Sequence, residues 1–392
     1  MIDQIKSKAR EIHPNLIEVR RRLHRHPELS FQEFETSKFI QNYLHQLGVE
    51  FQVMADTGIV AHIQGTEGGK VVALRADMDA LPIREENNCD YRSENDGVMH
   101  ACGHDVHTTS LLGVAEILQN MRLEFKGIIK LIFQPGEEKL PGGASLMIKA
   151  GALENPKPKG ILGQHVYPEL EAGKVGFRAG KYMASADEIY LKVIGKGGHA
   201  ALPDRNIDPV LIASHIVVAL QQVVSRRSHP GMPTVLSFGR IIGEGATNVI
   251  PDVVNLAGTF RTFDEEWRME AHSIIEKLAS ETAMAMGAKC EVDIRKGYPF
   301  VLNDEELTKR SMQSAIEFLG RENVIDLEMR MTGEDFSYYT QQMPGCFYRL
   351  GTKSGSNGKY HGLHTPTFDV DENCLETGCG LMTWLCLKEL ES

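Results

Sequence analysis

A chain of 392 residues exceeds what one hydrophobic core comfortably serves, so two domains are expected. Hydrophobic content of 42% and charged content of 24% are ordinary for a globular protein, and a net charge of −11 argues against a nucleic-acid surface or an anionic membrane as partner. No apolar run reaches the roughly 18 residues of a spanning helix, and Met1–Arg10 is charged throughout, without the apolar centre of a signal peptide. Seven cysteines, an odd number with no Cys-x-x-Cys pair, point away from a disulfide scaffold and towards a reducing, cytoplasmic setting.

Ile12, Leu16, Val19 and Leu23 recur at helical spacing, and Pro27 ends that element. A second helix is expected from about Glu33 to Leu47, closed by Gly48. The cluster Arg20-Arg21-Arg22-Leu23-His24-Arg25-His26 reads most simply as a solvated helix end. Strands follow at Ile59–Ile63 and Lys70–Ala76. The second runs into Asp77-Met78-Asp79, two carboxylates on one face at a strand's end, where open α/β sheets bind ligands.

Next comes His100-Ala101-Cys102-Gly103-His104-Asp105-Val106-His107, directly ahead of a helix marked by Leu111, Leu112, Ala115 and Leu118. Asp105 is the expected N-cap, and Cys102 and His104 would lie on the entering turn, facing the same side. There the helix dipole favours a thiolate, and the pair suits a metal better than a nucleophile; a buried structural Cys beside a solvated His is the alternative. A buried strand, Gly127–Phe133, leads into Gln134-Pro135-Gly136-Glu137-Glu138. A Glu pair alone reads as a solvated turn, but its place after a buried strand and Pro-Gly makes it a site candidate. Gly160–Gly163 leads to Gln164-His165-Val166. Strand, helix, strand in this order is an α/β reading.

From about Ser185 the order becomes strand, helix, strand, strand, helix, strand, the split βαβ or ferredoxin-like unit. Asp208-Pro209 and Asp264 open its helices, Gly287 stops the second, and Cys290, Val292 and Ile294 alternate in the last strand. The helix after Asp208 is apolar nearly all round, so a subunit interface is expected to cover it. The expected division is a catalytic α/β segment at 1–184, an inserted domain at 185–296, and a second catalytic segment at 297–392. The third segment holds Met331-Thr332-Gly333-Glu334-Asp335-Phe336 and, in a Gly/Pro-flanked loop, His364.

The ordered set Arg22–Ser30, RADMDALP from Arg75, HACGHDVH, QPGEE, QHV, GKGGHAALP from Gly195, TNVIPD from Thr247, MTGEDFS and LHTPTF resembles the M20 metallopeptidase family. More narrowly it is similar to the branch of N-acyl-amino-acid amidohydrolases that includes hippurate hydrolases and auxin-conjugate hydrolases. The resemblance implies a zinc-peptidase-like α/β domain with an inserted lid and dimerisation domain. It implies metal ligands Cys102, His104, Glu138, His165 and His364, holding one or two ions of zinc, manganese, cobalt or nickel. Asp77 stands where wider family members carry a ligand His, and Asp79 would orient a ligand from behind.

Chemistry agrees with that set. Amide hydrolysis needs activated water, a polarised carbonyl and a proton for the departing amine. Glu137 is the expected base, His199 the donor to the developing oxyanion, and Asn248 and Arg261 the holders of a substrate carboxylate; for Arg261 a strand-face charge is the plainer reading. The expected protein is a cytoplasmic homodimer or higher oligomer that hydrolyses N-acyl-L-amino acids. A dipeptidase or N-carbamoyl-amino-acid hydrolase keeps the same site; a Cys102 thiol hydrolase with His104 as base changes the class. A non-catalytic metal protein has no use for Glu137.

Overall fold

The computed structural model describes residues 1–355 and 361–392. They fall into two units, Met1–Tyr182 with Leu302–Met329 and Asp335–Ser392, and Met183–Val301 with Arg330–Glu334. The boundaries thus differ from 184/185 and 296/297 by a few residues. Segment 330–334 also joins the smaller unit, because Ala184 N donates to Arg330 O at 3.1 Å, a pairing that no periodicity announces.

The larger unit is built on an eight-stranded sheet. Its four central strands, Lys126–Gln134, Thr66–Asp77, Gly160–Glu171 and Gly345–Lys353, run parallel in that spatial order. They are apolar on both faces (Val72, Leu74, Leu131, Phe133, Ile161 and Leu162 are all buried), as parallel strands covered by helices must be. Parallel strands end together, so the segments after Asp77 and after Gln134 emerge at one edge of the sheet, alongside His165. Antiparallel Gly58–Gln64 and Glu50–Met54 extend one side. The latter is a half-exposed edge strand that the sequence pattern did not reveal.

Helix His104–Asn120 is buried for almost its whole length, packed against Ile2–Arg25 and Cys374–Glu391. Ile2–Arg25 presents Ile5, Ala9, Leu16, Val19 and Leu23 as its inward stripe. The positive cluster at its end is not a solvated tip. Arg20 and His24 are fully buried: Arg20 Nε donates to Asp105 at 2.8 Å, and His24 lies 2.8 Å from Asp105 and 3.2 Å from Glu85. Arg21 forks onto the Glu372 carboxylate.

The smaller unit is a four-stranded antiparallel sheet in the order Val235–Ile242, Val253–Arg261, Asp187–Ile194, Lys289–Arg295, with helices Pro209–Gln222 and Glu265–Ala285 packed together on it. This is the ferredoxin-like strand order. Asp208 accepts from Val210 and Leu211 N–H and Asp264 from Trp267 N–H, so both expected caps are made. Ile212, Ile216 and Leu220 bury the inner face of Pro209–Gln222, while Val210, Leu211 and Val218 are exposed, Val218 by 73%. Contrary to the expectation from apolar runs, Pro209–Arg227 is long and apolar enough to cross a bilayer by length and composition. Its inner stripe serves instead as one side of this unit's core.

Candidate metal centre

The turn before helix His104–Asn120 is set by Gly103, whose φ of 79° lies in the left-handed region. A Cβ there would also stand 2.6 Å from Val166 Cγ2. Gly103, not Asp105, occupies the N-cap position. Asp105 is the second helical residue, drawn into the Arg20–His24 pair because burying that guanidinium demands a carboxylate partner. Gly103→Ala combines wrong backbone and steric overlap. It is expected to cost about 2–4 kcal/mol of unfolding free energy, read by denaturant titration, and to lower the metal content of the purified protein.

Of the five expected donors, four converge around the sulfur of the fifth, Cys102. Cys102 Sγ lies 3.4 Å from His165 Nε2 and 3.3 Å from His364 Nε2, and His364 Nε2 lies 3.1 Å from Glu138 Oε1. Cys102, His104 and His165 offer donor atoms within 4.8 Å of one another, and so do Cys102, Glu138 and His364. Donors bound at ~2.0–2.3 Å to one ion sit about 3–3.6 Å apart, so these separations suit a shared cation. The ring tautomers agree. His165 Nδ1 donates to Val166 O at 2.8 Å and His104 Nδ1 to Asp79 O at 2.9 Å, which leaves each Nε2 lone pair facing inward. His104 Nε2 is buried without a hydrogen-bond partner, which suits a metal ligand. His364 has φ 59°, and its N–H donates to Ala101 O at 2.8 Å, holding its loop against the Cys102 turn.

Burial, followed by the Glu138 and Glu137 carboxylates, pushes the Cys102 thiol well above its ordinary range. Desolvation and nearby carboxylates thus oppose the thiolate that the helix dipole favours, and a cation would offset them. Burial opposes charge on His104, yet Asp77 and Asp79 hold its pKa up at about 10, so Nε2 becomes a ligand only where a cation displaces its proton. His165 is held well below its usual range by burial and Arg349, with its lone pair available.

Asp79 is the hub behind the donors. It is buried, accepts Glu137 N and Glu138 N at 3.0 Å each, and takes the Ser30 hydroxyl at 2.6 Å and His104 Nδ1 at 3.2 Å. It thus ties the start of helix His104–Asn120 to the Glu-Glu turn. Glu137 is buried beside the donors, its Oε2 4.0 Å from His104 Nε2. Asp77 is bonded to Arg75 and His107, and its Oδ2 lies 3.8 Å from His104 Nε2.

Glu33 secures the Glu-Glu turn from below, accepting Gly136 N at 2.8 Å and the Thr57 hydroxyl at 2.9 Å. Burial, then Asp79, raises its pKa from 4.5 to about 7. The folded state therefore binds its proton more tightly than the unfolded state, so stability falls as pH rises from about 4.5 to about 7 and stays lower above. Glu33→Gln keeps the acceptor without the charge. Its unfolding free energy is expected to gain on the wild type by up to about 3 kcal/mol between pH 5 and pH 8. A pH-independent difference would count against the assignment.

In the smaller unit His199 is exposed, its Nδ1 accepting from Ala201 N at 3.1 Å, so Nε2 carries the proton and can donate. Asn248 is brought beside it, since Ala200 N donates to Asn248 O at 3.0 Å. Arg261 is not. It ends strand Val253–Arg261, whose first residue lies next to the His199 and Asn248 loops; at strand rise the two ends are roughly 25 Å apart. Sequence reasoning also passed over Arg75, His107 and Asp335, though Arg75, Asp77 and Asp79 alternate along a buried strand end and His107 follows His104 by one helical turn.

An α/β sheet presenting a buried thiol–imidazole–carboxylate set beside Glu137, with an inserted ferredoxin-like domain, defines the class: a metal-dependent hydrolase. The chain belongs to the peptidase family M20/M25/M40, whose description it matches over residues 73–388. It is 40% identical to an N-acetylcysteine deacetylase of Bacillus subtilis over 97% of this chain and 98% of that one. It is 39% identical to an IAA-amino acid hydrolase of Arabidopsis thaliana over 96% and 86%. Among solved structures it resembles the Bacillus subtilis YXEP protein, described as a dinuclear metal binding peptidase, with TM-score 0.83 and 37% identity over 97% and 99% of the two chains.

Proposed function

We propose that this protein hydrolyses the amide bond of N-acyl-L-amino acids, releasing a carboxylate and the free amino acid. The observation that carries the reading is a buried Glu137 carboxylate beside donors gathered round Cys102. A relative named for N-acetylcysteine supports the substrate class. The two donor groups share Cys102 and favour two ions per chain, His104 and His165 holding one, Glu138 and His364 the other. A mixed S, N and O set suits zinc, manganese, cobalt or nickel.

When bound, a divalent ion supplies Lewis acidity, acidifying water and polarising the carbonyl. Glu137 accepts the proton from the attacking water and passes it to the departing nitrogen. Asp79 holds the Glu-Glu turn and His104 in fixed relation, so base and ligand keep their geometry. His199 Nε2–H donates to the oxyanion that develops on the carbonyl, and Asn248 and Arg261 hold the substrate's carboxylate. One small amide cannot touch both ends of a strand roughly 25 Å long, so Asn248 and Arg261 serve a single substrate only if they come from two chains. The exposed Val210, Leu211 and Val218 favour a homodimer built through this unit.

A relative named as a thermostable carboxypeptidase, 37% identical over 99% of this chain, keeps peptides in view as substrates of the same site. The raised Cys102 thiol speaks against the thiol-hydrolase reading. The test is a panel of N-acyl amino acids, N-carbamoyl amino acids and dipeptides, run before and after chelation and with each metal restored. Turnover of N-acyl amino acids that disappears on chelation and returns with metal is expected. Undiminished turnover after metal removal would sink the proposal.

A further inference from the structure

His107 looks like a further ligand: with Asp77 and His104 it offers donor atoms within 4.8 Å of one another, all three residues buried. Its hydrogen bonds exclude that. His107 Nε2 faces Val166 N–H at 2.9 Å, and a backbone amide can only donate, so Nε2 is bare and spent as an acceptor. Nδ1 then carries the proton and gives it to Asp77 Oδ1 at 2.5 Å. Neither nitrogen has a lone pair left for a cation.

We infer that His107 is a positioning residue, the end of a buried chain Asp335–Arg75–Asp77–His107–Val166 that builds the Cys102–His104–His165 half of the metal centre. The chain is continuous. Arg75 Nη2 donates to Asp335 Oδ1 at 2.7 Å, Arg75 Nη1 to Asp77 Oδ2 at 2.5 Å, and Arg75 Nε to Gln134 Oε1 at 2.9 Å. Asp335 is anchored in turn by Gln134 Nε2 and Ala144 N, each at 2.9 Å. Arg75, Asp77, Gln134 and Asp335 are all fully buried, so each bond is protected from water.

At the far end the Val166 peptide is held on both sides. Its N–H goes to His107, and its carbonyl takes the proton of His165 Nδ1 at 2.8 Å, which is what turns His165 Nε2 towards Cys102. The His107 and His165 rings also meet edge to face, with centroids 4.7 Å apart. The other half of the centre is supported differently, Glu138 N by Asp79 and His364 N by Ala101 O. Losing His107 should therefore weaken one half and spare the other. This inference rests on the reading of two donor groups that share Cys102.

The experiment has an arm that needs no variant and no metal. In chelated wild-type protein with ¹⁵N-labelled histidine, His107 should be the Nδ1–H tautomer, and an Nε2–H or doubly protonated ring would overturn the proposal. In the second arm zinc is titrated into apoprotein against a chromophoric chelator. His107→Phe keeps the ring and removes both nitrogens. It should weaken one of the two zinc ions by ~10–100-fold and leave the other unchanged, and His107→Gln, which restores an acceptor towards Val166 N–H, should recover part of the loss. Two zinc ions at wild-type affinity in His107→Phe, or equal weakening of both, would overturn it. His165→Ala is the control on the underlying reading. If it binds zinc like the wild type, the ligand set has failed, and that outcome is separate from the tautomer result.

Discussion

Glu137→Gln is expected to keep its metal and lose turnover by ~100-fold or more, whereas Glu138→Gln is expected to lose metal. The two side chains are neighbours in sequence but do different work. Glu138 Oε1 stands 3.1 Å from His364 Nε2, within the group that shares Cys102. Glu137 is buried near His104, and its amide and that of Glu138 are both fixed by Asp79. Glutamine preserves the shape of each and removes one capacity, proton uptake at 137 and anionic ligation at 138. Elemental analysis and kcat on the same preparations separate the two. The reverse pattern would mean that the roles are exchanged.

Mixing Glu137→Gln with His199→Ala is expected to restore activity that neither protein has alone. His199 and Asn248 lie at one end of strand Val253–Arg261 and Arg261 at the other, roughly 25 Å away, so a site that uses all three draws on two chains. Co-refolding equal amounts makes about half of all dimers mixed, and each mixed dimer holds one site with both Glu137 and the partner's His199 intact. Roughly a quarter of wild-type activity should return. No recovery, with mixed dimers demonstrated by mass, would show that His199 acts within its own chain.

The elements were legible because each is announced locally. Alternation in Ile189, Leu191 and Val193, the caps Asp208 and Asp264, and the buried run Gly127–Phe133 are properties of neighbouring residues, and so is the Cys102-Gly103-His104 turn. Bounds and edges were less legible. Strand Glu50–Met54 is half exposed and carries no clear alternation, and the return of 330–334 to the smaller unit depends on a hydrogen bond to Ala184.

What the sequence by itself determined is an α/β sheet with a ferredoxin-like insertion, and its resemblance to a family pointed to Cys102, His104, Glu138, His165 and His364 as the proposed donors. Only the tertiary structure decided which titratable groups are spent and which remain available. Asp105 reads as a cap and is a counter-charge for Arg20; His107, to which sequence reasoning assigned no role, has both nitrogens committed; Arg20 reads as solvated and is buried. The physical reason is that a side chain's charge and hydrogen-bonding capacity are local, whereas its desolvation and its partners come from distant segments that the fold brings together.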